Sequence, residues 1–180
     1  DILDLQAREA RGEITADERV ELAAVRRLHE ANPMIGTRGV RLGVVRPGLA
    51  ALDAATGALR WEREAHKGLP FGGRHRKNTY ASETPFTDGE RVYVSFGLNI
   101  GLFAYTLNGD LVWKRTWPPQ PIYLDFGTGT SPVVHDGRVY LLQDSEKECY
   151  LTALDAKTGA DIWRVARKDK GWQRTSAWST

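Results

Sequence analysis

A chain of 180 residues, 41% hydrophobic and 27% charged, carries enough apolar material for a sizeable core and too much for a disordered tail. Its 25 basic and 23 acidic residues leave a formal charge of +2 and are spread along the whole length, which excludes the concentrated positive field that recruits nucleic acid. The single cysteine, Cys149, excludes an intrachain disulfide and a cysteine-built zinc cage, and no apolar run reaches the roughly 20 residues that span a bilayer.

The chain opens DILDLQ, with neither Met nor an apolar signal stretch. Residues 1–33 are rich in Ala, Glu, Arg and Leu. Thr15 and Glu18 form a capping box, in which each side chain serves a free backbone N–H at a helix start. Val20, Ala24 and Leu28 follow at four-residue intervals beside Leu22 and Val25, and Pro33 forbids continuation, so the pattern predicts a helix over 16–31. A shorter helix is expected over 3–11, ending at Gly12. Together these make 1–33 a helical segment distinct from residues 34–180, with its Arg and Glu as the solvated face.

From about residue 40 the pattern changes to short runs of β-branched and aromatic residues punctuated by Gly, Asp and Asn. RVYVSFG at 91–97 and RVYLLQD at 138–144 each follow an Asp-Gly pair and read as strands entered through a hairpin turn. LFAYTL at 102–107 and YLTALD at 150–155 read as the next strands, and LVWKR at 111–115 and DIWRV at 161–165 as the ones after the following turns. Trp61, Trp113 and Trp163, and likewise the Thr84-Pro85 and Ser131-Pro132 steps, recur at about 50-residue spacing, the mark of a repeated structural unit. Each unit holds four short strands, the first ending near the Ser/Thr-Pro step. Four antiparallel strands per repeat describe a β-propeller blade rather than a helical solenoid or a plain sandwich.

The phrase ALDAATGALRW at 51–61 returns as ALDAKTGADIW at 153–163. Asp53 and Thr56, or Asp155 and Thr158, can accept hydrogen bonds from turn N–H groups, while Gly57 or Gly159 supplies a positive φ. The Trp that follows buries on the order of 150–250 Å² and its indole N–H needs an acceptor, so Trp61, Trp113 and Trp163 read as glue between blades. The middle copy is one residue shorter and turns on Asn108-Gly109, a favoured hairpin pair.

The pattern Ala51, Asp53, Thr56, Gly57, Trp61, repeated as Ala153, Asp155, Thr158, Gly159, Trp163, resembles the tryptophan-docking motif of PQQ-like β-propeller repeats, and NTYASETP, GTGTSPVV and SAWST resemble their inner blade strands. The resemblance implies an all-β, incomplete propeller of about three four-stranded antiparallel blades, the first one partial, behind the N-terminal helical segment. The first phrase lacks its own Ser/Thr-Pro and Asp-Gly pair, and SAWST stops where the earlier copies have Pro, so residues 34–180 are expected to be blades truncated at both ends. The remaining blades of a parent chain are then the first expected partner. Relatives of this kind usually work in the periplasm or outside the cell, and the same location is implied here.

Function is less constrained, because one fold hosts many activities. The favoured reading is a noncatalytic surface that binds or scaffolds another protein or a small ligand, with no cofactor and no catalytic or metal-ligating residue assigned. The alternative is a fragment of a PQQ-dependent dehydrogenase oxidising an alcohol or sugar. By resemblance that would require pyrroloquinoline quinone over the channel, a Ca²⁺, a base and a Trp floor. Calcium takes about 6–8 oxygens, and Glu83 and Asp125 alone do not supply them; Trp178 is a candidate for the floor, though a buried packing Trp is the commoner role. Aligning the Ser/Thr-Pro steps sets Glu83, Thr130 and Ser179 in one row and Ala81, Thr128 and Ala177 in another, on one side of the inner strands. With Tyr80 and Trp178 beside them, Glu83, Thr130 and Ser179 form the expected ligand face of the channel. A basic stretch from His66 to Lys77 reads as a solvated loop, and WPPQPIYLDFG at 117–127 as a rigid loop, either on an end face where ligands or proteins bind or covering the core.

Overall fold

Strands form where β-branched and aromatic residues alternate, and eleven lie among the described residues. The computed structural model describes residues 47–68, 80–97 and 99–167, together with the backbone of 25–28. In chain order the strands are β1 (Val25–Leu28), β2 (Gly48–Leu52), β3 (Leu59–Glu64), β4 (Phe86–Thr87), β5 (Arg91–Ser95), β6 (Leu102–Thr106), β7 (Leu111–Arg115), β8 (Val133–His135), β9 (Arg138–Asp144), β10 (Cys149–Asp155) and β11 (Asp161–Ala166). They make three antiparallel sheets, β1-β2-β3, β4-β5-β6-β7 and β8-β9-β10-β11, each a meander of neighbours in sequence. The fold is an all-β arc of propeller blades, the first with three strands described and the other two with four.

The repeat extends to individual backbone pairs. Ala51 faces Trp61, Ala104 faces Trp113 and Ala153 faces Trp163, and a bulge follows each of these alanines at the same place. In the first and third blades the turn before the Trp is built on one carboxylate. Asp53 Oδ1 accepts from the N–H groups of Ala55 and Thr56 and from the Thr56 hydroxyl, and Asp155 does the same with Lys157 and Thr158. Gly57 and Gly159 both sit at φ +71°, where an L side chain is strained. In the middle blade the Thr106 hydroxyl takes over, accepting from the N–H groups of Asn108 and Asp110.

The second blade is buried on both faces. Val92, Val94, Phe96, Phe103 and Tyr105 pack toward the first blade with Leu49 and Trp61, while Tyr93, Leu102, Ala104 and Trp113 pack toward the third with Val139, Leu141 and Leu154. Alternation along β5 therefore feeds two cores. Each joint carries the same polar lock: the Trp61 indole donates to the Leu107 carbonyl at 2.7 Å, and the Trp113 indole to that of Ala156 at 2.9 Å. Arg63 adds a bond to the Gly109 carbonyl and Arg115 an ion pair to Asp161, both across joints. Tyr93 donates to Asp88 within its own blade at 2.7 Å and approaches Ala156 O of the next at 3.1 Å. Burial and the hydrogen bond to Asp88 push its hydroxyl well above the ordinary phenol range.

Two expectations need correction. Where the structure describes the expected helix over 16–31, at Val25–Leu28, the chain is strand β1, paired with β2 from Val25↔Ala51 to Leu28↔Gly48. The open edge of β2 presents backbone N–H and C=O groups that need partners, and pairing outweighs the weak local helix preference of four residues. The rest of that helix, the one over 3–11, and most of the 1–33 segment lie outside the described residues. The first strand of each full blade, expected to end near the Ser/Thr-Pro step, instead begins after it: β4 starts after Pro85 and β8 after Pro132. Proline has no N–H to give a ladder, so pairing starts beyond it.

Candidate functional site

Tyr80–Pro85 and Gly127–Pro132, the stretches leading into β4 and β8, run side by side at the inner end of the second joint. Ser82 Oγ donates to the Thr128 carbonyl at 3.1 Å, the Thr84 N–H donates to Ser131 Oγ at 2.8 Å, and Thr128 Oγ1 donates to Glu83 Oε1 at 2.6 Å. Glu83 is 1% exposed. A carboxylate this deep is tolerable only with hydrogen bonds, and the one from Thr128 runs between blades. Gly97 makes room for the arrangement: a Cβ there would lie 1.9 Å from Thr128 Oγ1.

Beside this contact lies a cleft of about 20 Å³, lined by Ser95, Gly97, Thr128, Thr130 and the β9 residues Leu141–Asp144. Asp144 pairs through Oδ2 with Arg167, at the end of β11, and both Asp144 and Gln143 are buried. Asp144 Oδ1 and Gln143 Oε1 have no donor among the described residues. Whatever enters must therefore donate hydrogen bonds, and the volume admits about one water-sized group.

Of the residues expected at the channel, Thr130 lines the cleft, Glu83 lies one hydrogen bond from it through Thr128, and Tyr80 is half-buried against the first core. Trp178 and Ser179 lie outside the described residues, as do Ala177 and the stretch from Arg74 to Lys77. Sequence reasoning missed Ser95, Gln143 and Asp144. Their signal was the mismatch between SFG at 95–97 and LQD at 142–144, where otherwise parallel copies exchange Phe for Gln and Gly for Asp.

The loop at 117–127 packs by Trp117 and Ile122, and its backbone bonds reach Asn99 and Glu146. Its tip is a 3-10 turn, Tyr123–Asp125, in which Leu124 is 65% exposed at φ +49° and Asp125 follows at φ +54°. Left-handed backbone at two successive non-glycine residues is costly and is held here by the packed flanks.

The described residues do not fit a quinone with calcium. Glu83 is engaged by Thr128 and Asp125 stands exposed on the turn at Tyr123–Asp125. Among the described residues no three His, Cys, Asp or Glu side chains come together as a metal site, and the cleft is far below the roughly 300 Å³ of an ordinary cofactor pocket.

Comparison with known proteins matches residues 19–177 to the family described as outer membrane protein assembly factor BamB. The serine/threonine-protein kinase AfsK of Streptomyces griseus is 38% identical over 121 residues, which is 66% of this chain and 13% of the kinase. Among solved structures, a quinohemoprotein alcohol dehydrogenase, ADHIIG of Pseudomonas putida HK5, is 24% identical with a TM-score of 0.47, covering 83% of this chain and 23% of that one. BamB of Moraxella catarrhalis is 26% identical with a TM-score of 0.44, covering 69% and 34%. The chain thus spans about an eighth of the kinase and a quarter to a third of the two solved chains. With the family match running over most of its length, the chain belongs to the BamB family of PQQ-like repeat proteins.

Proposed function

We propose that this chain is a noncatalytic propeller segment that serves as a binding or scaffolding surface within a larger protein, whose remaining blades flank it. The observation that carries the reading is the inner end of the second joint. There the polar side chains Ser82, Glu83, Thr128 and Ser131 hold one blade to the next, and the cleft beside them, which Thr128 lines, is water-sized. The surface offered to partners is the end face, where the exposed Leu124 is held out by a packed loop beside Tyr123 and Phe126. Work outside the cytoplasm is supported by the family's description as an outer membrane assembly factor. Among the described residues no helix is long and apolar enough to cross a membrane.

The test is to incubate the longest available form of the protein with pyrroloquinoline quinone and Ca²⁺, separate free quinone by gel filtration, and follow alcohol- or sugar-dependent dye reduction. No retained quinone and no reduction are expected. Stoichiometric retention with turnover would overturn the reading in favour of a dehydrogenase.

A further inference from the structure

The third blade departs from the second at one buried place. Aligning Tyr93 with Tyr140, which face Ala104 and Ala153, sets Gln143 where the second blade has Phe96 and Asp144 where it has Gly97. Phe96 is buried in the first core against Phe103. Gln143 and Asp144 are equally deep, 4% and 6% exposed, yet Gln143 Oε1 and Asp144 Oδ1 have no donor among the described residues. Burying two acceptors without donors is costly, and the apolar pair of the second blade avoids that cost.

Both side chains line the cleft at the inner end of the second joint, together with Thr128, Thr130 and Ser95. Thr128 spends its one hydroxyl hydrogen on Glu83, so toward the cleft it offers lone pairs. Asp144 Oδ2 is taken by Arg167, which leaves Oδ1 as its open acceptor. Three acceptors, Thr128 Oγ1, Gln143 Oε1 and Asp144 Oδ1, thus belong to side chains around one space of about 20 Å³. A water molecule brings two hydrogens and leaves one acceptor unserved. A protonated primary amine brings three on a nitrogen of similar size, and its charge strengthens the bond to the carboxylate.

We propose that this cleft binds a primary ammonium group, the tip of a small amine or of a lysine side chain, with Gln143 Oε1, Asp144 Oδ1 and Thr128 Oγ1 each accepting one of its hydrogens. The space admits the nitrogen, and the carbon it carries stays at the mouth. Every lining residue belongs to the second or third blade, whose joint is packed and closed by Trp113. The inference rests on the binding role proposed above and names a ligand for it. Quinone retention with turnover would overturn that role, whereas a missing response to amines would remove this ligand alone.

Thermal unfolding of the longest available form tests it, in the chlorides of methylammonium, N-acetyl-lysine methylamide, potassium and tetramethylammonium at equal ionic strength. Methylammonium should raise the midpoint by about 2–4 °C at about five times its dissociation constant, while potassium and tetramethylammonium should not. A like rise with the lysine derivative would identify the ligand as a lysine tip, and a rise with methylammonium alone as a small free amine. Gln143→Met removes one acceptor in favour of an apolar side chain, as Phe96 is in the second blade, and should abolish the rise. Gln143→Glu presents oxygen in either rotation of its head group and should bind methylammonium several-fold more tightly. If Gln143→Met does not fold, an unchanged affinity in Gln143→Glu overturns the proposal by itself. Equal midpoints in all four salts would mean that the cleft holds water only, and a rise with potassium as large as with methylammonium that it holds a bare ion. Either result, or a Gln143→Met variant that responds as the unmodified chain does, would overturn the proposal.

Discussion

Trp113 and Trp163 occupy one register position in consecutive blades, each opposite an alanine and each the third residue of its strand, yet one is buried and the other is 37% exposed. The difference lies in the neighbour. Trp113 meets the glycine turn of the third blade and the Ala156 carbonyl, whereas Trp163 touches mainly Tyr140 of its own sheet, ring centroids 5.9 Å apart. A repeat motif therefore fixes where a side chain stands, while its contribution to stability is set by the blade it meets.

Substitution of the two tryptophans is the strongest way to break that comparison. Trp113→Ala should cost on the order of 3–5 kcal/mol, since it opens a cavity and strands a buried carbonyl. Trp163→Ala should stay within about 1 kcal/mol, as a half-open surface ring does. Urea unfolding measures both, and equal losses would show that burial is not what separates them. The glycines come next. Gly159→Ala combines backbone strain with a Cβ driven into the Trp113 ring and should cost about 2–4 kcal/mol, whereas Gly57→Ala carries the strain alone, about 1 kcal/mol.

A smaller contrast lies between Tyr93 and Tyr140, which hold equivalent places in β5 and β9. Tyr93→Phe loses the bond to Asp88 and should cost about 1–2 kcal/mol, more than Tyr140→Phe. The Tyr93 hydroxyl also gives an alkaline signature. Burial and Asp88 raise its pKa in the folded state above the ordinary 10.0, so its contribution is fully present below pH 10 and is lost as pH rises beyond it. Tyr93→Phe should flatten stability against pH above 10, read by urea midpoints at successive pH values.

Much of this architecture was legible because it is local and repeated. The Asp-Thr-Gly turns, the Asp-Gly hairpins and the Trp register depend on residues within a few positions of one another, so three copies in one chain expose them. Strand β1 was not legible, since Val25–Leu28 takes its conformation from the edge of β2 and not from its own Ala-, Glu- and Arg-rich surroundings. At the candidate site the sequence placed Glu83 and Thr130 near the axis, but it could not show that Thr128 bonds Glu83 across 45 positions or that Gly97 must be small to admit it. It also read Gly159 only as a turn former. That this glycine leaves room for the Trp113 ring of the neighbouring blade appears only from the packing.

The smallest expected effect sharpens the comparison by being the same at both ends of the arc. The Asp53 carboxyl is held below its ordinary 3.8 chiefly by the Thr56 N–H and then by its hydroxyl; that of Asp155 is held there chiefly by the Thr158 hydroxyl and then by its N–H. Neither carboxylate bonds to another blade, so the Trp113 ring packed against Gly159 should not reach them. Because each folded pKa is lowered, the contribution of each turn is present above about 3.8 and fades as pH falls through the folded value. Carboxyl carbon shifts followed by NMR from pH 6 to 2 should show two titrations displaced alike toward acid, and Thr56→Ala or Thr158→Ala should return the matching one toward 3.8. A markedly larger displacement at Asp155 than at Asp53 would mean that the neighbouring Trp113 ring stabilises the turn it sits on, and that burial of the ring strengthens the motif as well as the joint.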